Sequence, residues 1–165
     1  MKRGNKGQSF MGMSFSTIFS IIIIVFILVV GFIVINSIIK SRDCSEIGIF
    51  ISGFQKEIDK SWNSAGTEFI FKSNLPKNLK YVCFAEISKK PSGEFKNIWE
   101  EISSYQESNL FFYPPENSCI PFKKIQHLNL EKITKDKNPY CILIKNGKIE
   151  IKIEKRLDES LITLE

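Results

Sequence analysis

Cysteine and histidine are the residues of this chain best able to do chemistry, and their spacing narrows that chemistry quickly. Cys44, Cys83, Cys119 and Cys141 are the four cysteines, which could hold zinc or pair as disulfides. A structural zinc site usually rests on at least one short Cys-x-x-Cys knuckle that sets two thiolates on one tight turn. Here the closest two are Cys119 and Cys141, and His127, the one histidine, adds a single further ligand. An even cysteine count in a small unit reads instead as two disulfides in an oxidising compartment. Four free thiols would fit only a unit facing the cytoplasm. Three pairings are open. The one favoured on sequence joins Cys119 to Cys141, tying a Pro-rich loop to a C-terminal hairpin, and Cys44 to Cys83, tying a helix to a sheet.

Catalytic arrangements are thin. His127 lies in Ile125-Gln126-His127-Leu128-Asn129-Leu130, and no Gly-x-Ser-x-Gly elbow supplies a nucleophile for it, so a structural role is expected. Glu100-Glu101 and Asp158-Glu159 are adjacent pairs that point different ways on a helix and form no acid/base dyad by themselves. Gly-rich phosphate loops, calcium-loop spacing and Asn-x-Ser/Thr sequons are missing from the sequence. The reading is of a protein that is not an enzyme and carries neither metal nor cofactor.

The element that places everything else is apolar. Lys6 and Lys40 bracket a stretch without charge, and within it Ile21 to Ile35 is an unbroken apolar run. A helix from Phe15 to Ile39 would be about 37 Å long, more than the ~30 Å hydrocarbon core of a bilayer. A helix buried in a soluble domain would need a polar face, which this run lacks. A cleaved secretory signal has an apolar region of only ~7–15 residues followed by a small-x-small site, and Asn36-Ser37-Ile38-Ile39-Lys40-Ser41 offers no such site. Residues 1–13 are therefore expected to form a basic leader or cytoplasmic tail, 14–40 a transmembrane helix, and 43–165 an extracytoplasmic domain.

Charge agrees with that division. The chain carries 23 Lys and Arg against 18 Asp and Glu, and Lys2, Arg3, Lys6, Lys40 and Arg42, all flanking the apolar segment, account for the excess. From Asp43 onward bases and acids balance. Nucleic-acid binding requires the positive excess on the folded part, so no nucleic-acid partner is expected. Three bases before the span against two after it, with Asp43 and Glu46 beside the latter, place the N-terminus in the cytoplasm. All four cysteines then fall outside.

Beyond the span the pattern is α+β: an amphipathic helical extension, then a small antiparallel sheet domain with one inserted helix. Ile47, Phe50, Phe54, Ile58 and Trp62 form a core-facing helical stripe, with Gln55, Lys56, Asp59 and Lys60 opposite. Asp43 and Glu46 have capping-box spacing, so either a new helix starts here or one rod runs on. Glu68 to Phe71 reads as a strand. Leu79 to Ile87 reads as a central one, with Tyr81, Cys83, Ala85 and Ile87 on one face and Val82 and Phe84 on the other. Phe95, Ile98, Trp99, Ile102 and Tyr105 keep helical spacing over about 94–106. Asn146-Gly147 tolerates positive φ at both central positions of a type I′ turn, which predicts a hairpin of Tyr140–Lys145 with Lys148–Lys155, Ile149, Ile151 and Ile153 inward. Leu110, Phe111, Phe112 and Tyr113 form the most aromatic stretch outside the span. They are either a contact patch or, as expected of apolar strands entering a Pro-Pro turn, ordinary core.

One resemblance lies at the N-terminus. Lys6-Gly7-Gln8 resembles the processing site of archaeal class III signal peptides, which implies cleavage by a prepilin-type peptidase between Gly7 and Gln8 ahead of a hydrophobic helix. The archaeal type IV pilin-like proteins that carry it share this layout of basic leader, long apolar helix and β-rich domain. The match is confined to the triplet: counted from Gln8, Gly12 stands where that family carries glutamate, Phe10 where it carries serine and Ser16 where it carries leucine.

The function expected is that of a membrane-anchored, pilin-like structural subunit or accessory of a surface filament or secretion-type assembly. Its partners would be the lipid bilayer, copies of its own helix and the peptidase. The alternative is a stationary single-pass membrane protein whose extracytoplasmic domain binds a protein or glycan. Protease added to intact cells should digest the chain from Asp43 onward; complete protection until lysis would reverse the orientation.

Overall fold

The computed structural model describes the chain from residue 15 to residue 165, with side chains from Ser16. Its longest element is α1, Phe15–Trp62, a helix of 48 residues, about 72 Å at 1.5 Å per residue. Asp43 and Glu46 lie inside it and start no second helix. Arg42 Nε instead donates to Glu46 Oε1 at 2.9 Å, the (i, i+4) pairing of a continuous helical surface.

The chain divides into two units, Met1–Lys40 and Ser41–Glu165. In the first, large apolar side chains from Ile18 to Ile39 are exposed, and the helix is long and apolar enough to cross a membrane.

The second unit is α+β. Its elements follow as β1 Thr67–Asn74, β2 Tyr81–Phe84, α2 Lys96–Ile102, β3 Leu110–Tyr113, a 3₁₀ turn Pro115–Asn117, β4 Phe122–Lys123, α3 Leu130–Ile133, β5 Tyr140–Leu143, β6 Lys148–Lys155 and β7 Thr163–Leu164. The inserted helix α2 is shorter than its apolar spacing predicts, and α3 is a single turn started by Asn129, whose side chain accepts from Lys132 N.

These strands make two antiparallel sheets, β1-β6-β7 and β4-β3-β2-β5. The alternation of β6 is as read: Ile149, Ile151 and Ile153 are buried, while Lys148 and Glu150 are exposed. So is that of β2, with Val82 and Phe84 in one apolar cluster and Tyr81, Cys83, Ala85 and Ile87 in another. α2 covers the second cluster through Ile98 and Ile102. α1 fills the first through Ile47, Phe50, Phe54 and Ile58.

The predicted β5–β6 hairpin needs correction. Asn146 and Gly147 do take positive φ, 53° and 73°, and Lys145 and Lys148 exchange backbone bonds across them. The strands then part, β5 pairing with β2 and β6 with β1 along eight residues. The turn is a corner from one sheet to the other. A long partner for β6 and a disulfide-linked partner for β5 outweigh the pairing of two chain neighbours.

Trp62 also departs from the reading. It ends the stripe of α1 but is 41% exposed, because a residue one turn past Ile58 sits at the helix terminus.

Phe50 and Phe54 bridge the two sheets. Phe50 lies 5.6 Å from Phe112 and 5.8 Å from Phe71, and Phe54 lies 5.7 Å from Phe84 and 5.3 Å from Phe71, between ring centroids. Removing one ring empties a site that neither sheet can collapse into alone. Phe54→Ala should destabilise the unit by about 3–5 kcal/mol, read by denaturant unfolding followed through near-ultraviolet circular dichroism; a loss below 1 kcal/mol would show that the sheets hold each other without the helix.

Candidate functional site

The sequence-predicted site residues fall into separate places. Gly7 and Gln8, with the rest of the leader, lie outside the described residues. All four cysteines are bridged, as Cys44–Cys119 and Cys83–Cys141, which corrects the favoured pairing. The reason is register: β2 and β5 place Cys83 directly opposite Cys141, with Cα atoms 4.0 Å apart. Cys44, on α1, meets Cys119 on the loop after β3, Cα to Cα 5.6 Å. The two bridges differ in surroundings. Cys83 is fully buried against Phe111 and Ile98, whereas Cys119 is exposed and Cys44 half-buried.

Leu110, Phe111 and Phe112 are buried, and only Tyr113 is half-exposed. Of the two readings of this stretch, the expected one, core, holds, and the contact patch falls. β3 lies inside its sheet, between β2 and β4, so Leu110 and Phe112 face α1 while Phe111 faces α2. The Tyr113 hydroxyl donates to Glu101 Oε1 at 3.3 Å; burial, then the nearby carboxylate, raises its pKa.

His127 has a partner set the linear sequence did not show. Its Nδ1 lies 3.1 Å from Asp59 Oδ1, and its ring stacks on Trp62 with centroids 3.9 Å apart and planes within 3°. Asp59 Oδ1 also accepts from Gln55 Nε2 at 2.7 Å, and Gln55 Oε1 accepts from Gln126 N at 3.0 Å. His127 holds φ +65°, an uncommon conformation for a residue with a Cβ. The cluster fastens the 125–128 segment to the last turns of α1. Gln55 and Asp59, assigned to the solvent side from periodicity, are half-buried within it. Their (i, i+4) spacing is the one local sign that they act together.

No family model, curated protein or solved structure matches this chain. Its function has to be argued from the two units themselves. Among the described residues, no three His, Cys, Asp or Glu side chains converge as a metal site.

The remaining organised surface is the outer face of the β1-β6-β7 sheet, where charges alternate. Lys72 Nζ lies 2.8 Å from Glu150 Oε1, and Lys152 Nζ lies 3.1 Å from Glu68 Oε1 and 2.6 Å from Glu165 Oε2. Hydrogen bonding to Glu165 and then to Glu68 raises the pKa of Lys152, and its ammonium in turn lowers that of the Glu165 carboxyl. Ile70 stands among these charges and is 54% exposed.

Exposure decides which bridge a reductant reaches first. Graded reduction with trapping by a thiol-alkylating reagent should label Cys44 and Cys119 before Cys83 and Cys141, read by peptide mass mapping. Simultaneous labelling, or the reverse order, would contradict the burial difference.

Proposed function

We propose that this chain is a membrane-anchored, pilin-like structural subunit, or an accessory, of a surface filament or secretion-type assembly. Its N-terminus is cytoplasmic and its C-terminal unit lies outside the cell. The observation that carries the reading is the division of labour along α1. Residues from Ile18 to Ile39 present large apolar side chains outward, while Ile47, Phe50, Phe54 and Ile58 of the same helix are core. A helix of this kind can leave lipid only for surroundings as apolar as lipid, and a bundle of copies of itself supplies them through side-chain packing.

Two further features support it. The bridges Cys44–Cys119 and Cys83–Cys141 suit an oxidising compartment. Balanced charge from Asp43 onward leaves little net repulsion between neighbouring copies. The stationary-anchor alternative loses its first candidate surface, since Leu110, Phe111 and Phe112 are buried.

Processing separates the two readings. Cleavage between Gly7 and Gln8 would remove Lys2, Arg3 and Lys6, the bases that hold the helix in its inserted orientation, and free it for extraction into an assembly. Intact-mass measurement of the native protein should find a chain beginning at Gln8. A mature N-terminus at Met1 or Lys2 would transfer the assignment to a stationary anchor with an external binding domain.

A further inference from the structure

β1 is the longest open edge in the C-terminal unit, and its residue order is complementary to itself. The other edges are short: β4 and β7 have two residues each and β5 four. β1 has eight, paired on one side to β6 in unbroken register and at the edge of its sheet. Edge strands are commonly blunted by shortness, proline, a bulge or charged side chains; β1 has only the last, Glu68 and Lys72, which repel most strands and match one another.

The ladder fixes which backbone groups are open. Leu75 N donates to Gly147 O, continuing the β1–β6 register, and residues exchanging both bonds alternate along an antiparallel pair. Odd-numbered residues of β1 thus bond β6. Glu68, Ile70 and Lys72 direct N–H and C=O to the free edge, and their side chains lie on the exposed face of the strand.

We propose that this edge pairs antiparallel with β1 of a second copy, about a two-fold axis through Ile70. That register sets Ile70 opposite Ile70 and Glu68 opposite Lys72 of the partner, twice. It also joins the outward backbone groups of Glu68, Ile70 and Lys72 as hydrogen-bonded pairs, and it aligns Phe69 with Phe71 on the inner face. Shifts that keep the backbone groups facing lose the match. A two-fold at Glu68 or Lys72 sets like charges opposite each other, and a two-fold at Phe69 or Phe71 pairs Ile70 with a charged residue. Opposite charges facing across strands stabilise and like charges destabilise, so one register is selected. In the pair, Lys72 sits between its own Glu150 and Glu68 of the second copy, a cation flanked by a carboxylate on each side.

The axis reverses directions lying in the sheet, so the Ser41–Trp62 segments of the two copies run in opposite senses. Such a contact is made wholly by the C-terminal units of the two copies. It does not depend on processing at Gly7.

Full-length protein in detergent solution, followed by sedimentation equilibrium, provides the test. Glu68→Lys and Lys72→Glu should each weaken self-association about tenfold or more, because each makes both cross-strand pairs repulsive. An equimolar mixture of the two variants should restore it, since each chain then meets its opposite charge twice. An introduced cysteine adds the sole free thiol, the native four being bridged. Ile70→Cys should form a covalent dimer on mild oxidation, its Cα atoms about 5.5 Å apart in a hydrogen-bonded pair. Lys72→Cys should not, its two copies standing four residues apart along the strand. Association insensitive to both charge variants, a mixture no stronger than its components, or cross-linking as efficient at position 72 as at position 70 would overturn the proposal.

Discussion

Two small sheets that cannot close on each other need a third body between them, and Phe50 and Phe54 of α1 supply it. Each ring touches both sheets, Phe50 through Phe112 and Phe71, Phe54 through Phe84 and Phe71. The buried faces of β1, β6, β2 and β3 converge on this helix, and its Ile47, Ile51 and Ile58 extend the same contact along its length. A helix continuous with an exposed apolar stretch is thus a core element of the folded unit. The wedge belongs to the Ser41–Glu165 unit, and its helical turns are held by packing against both sheets rather than by intrinsic helix propensity.

Where period alone decides structure, the sequence was readable. Ile149, Ile151 and Ile153 alternate with charged residues because one face of β6 is buried, and an eight-residue alternation has no other stable reading. The two faces of β2 were likewise separable, since both are apolar and a strand with two buried faces must be central. Asn146-Gly147 correctly predicted a turn with two positive φ values, but a turn does not say what its strands do four residues later. Pairing partners come from long-range competition, and β1, some seventy residues upstream in the chain, won β6 from β5.

The same limit explains the cysteines and His127. Sequence spacing suggested nearest-in-chain bridges, yet register put Cys83 against Cys141 and helix placement put Cys44 against Cys119. His127 acquires its role from Asp59 and Trp62, sixty-eight and sixty-five positions earlier. Buried amides behave alike. Asn109 clasps both backbone groups of Ile125, and Asn138 accepts from Glu86 N while donating to Glu86 O. Each closes a loop by satisfying groups that burial would otherwise leave unpaired, and nothing in their local sequence marks them.

The attachments of α1 within the folded unit follow a mechanical order. Counted from Ser41, where that unit begins, the first fixed point is Cys44, bonded to Cys119; the aromatic wedge comes next. At the far end, the Lys155 ammonium donates to the carbonyls of Trp62 and Ser64 at 2.6 and 2.7 Å, a cation on the negative end of the helix. A load entering along α1 from its N-terminal side therefore meets a covalent bond before it meets packing. In an anchored or assembled chain this order shields Phe50 and Phe54 from tension, and the more exposed of the two bridges is the one that bears it. Cys83–Cys141, between β2 and β5, ties strand to strand and carries none of that load directly.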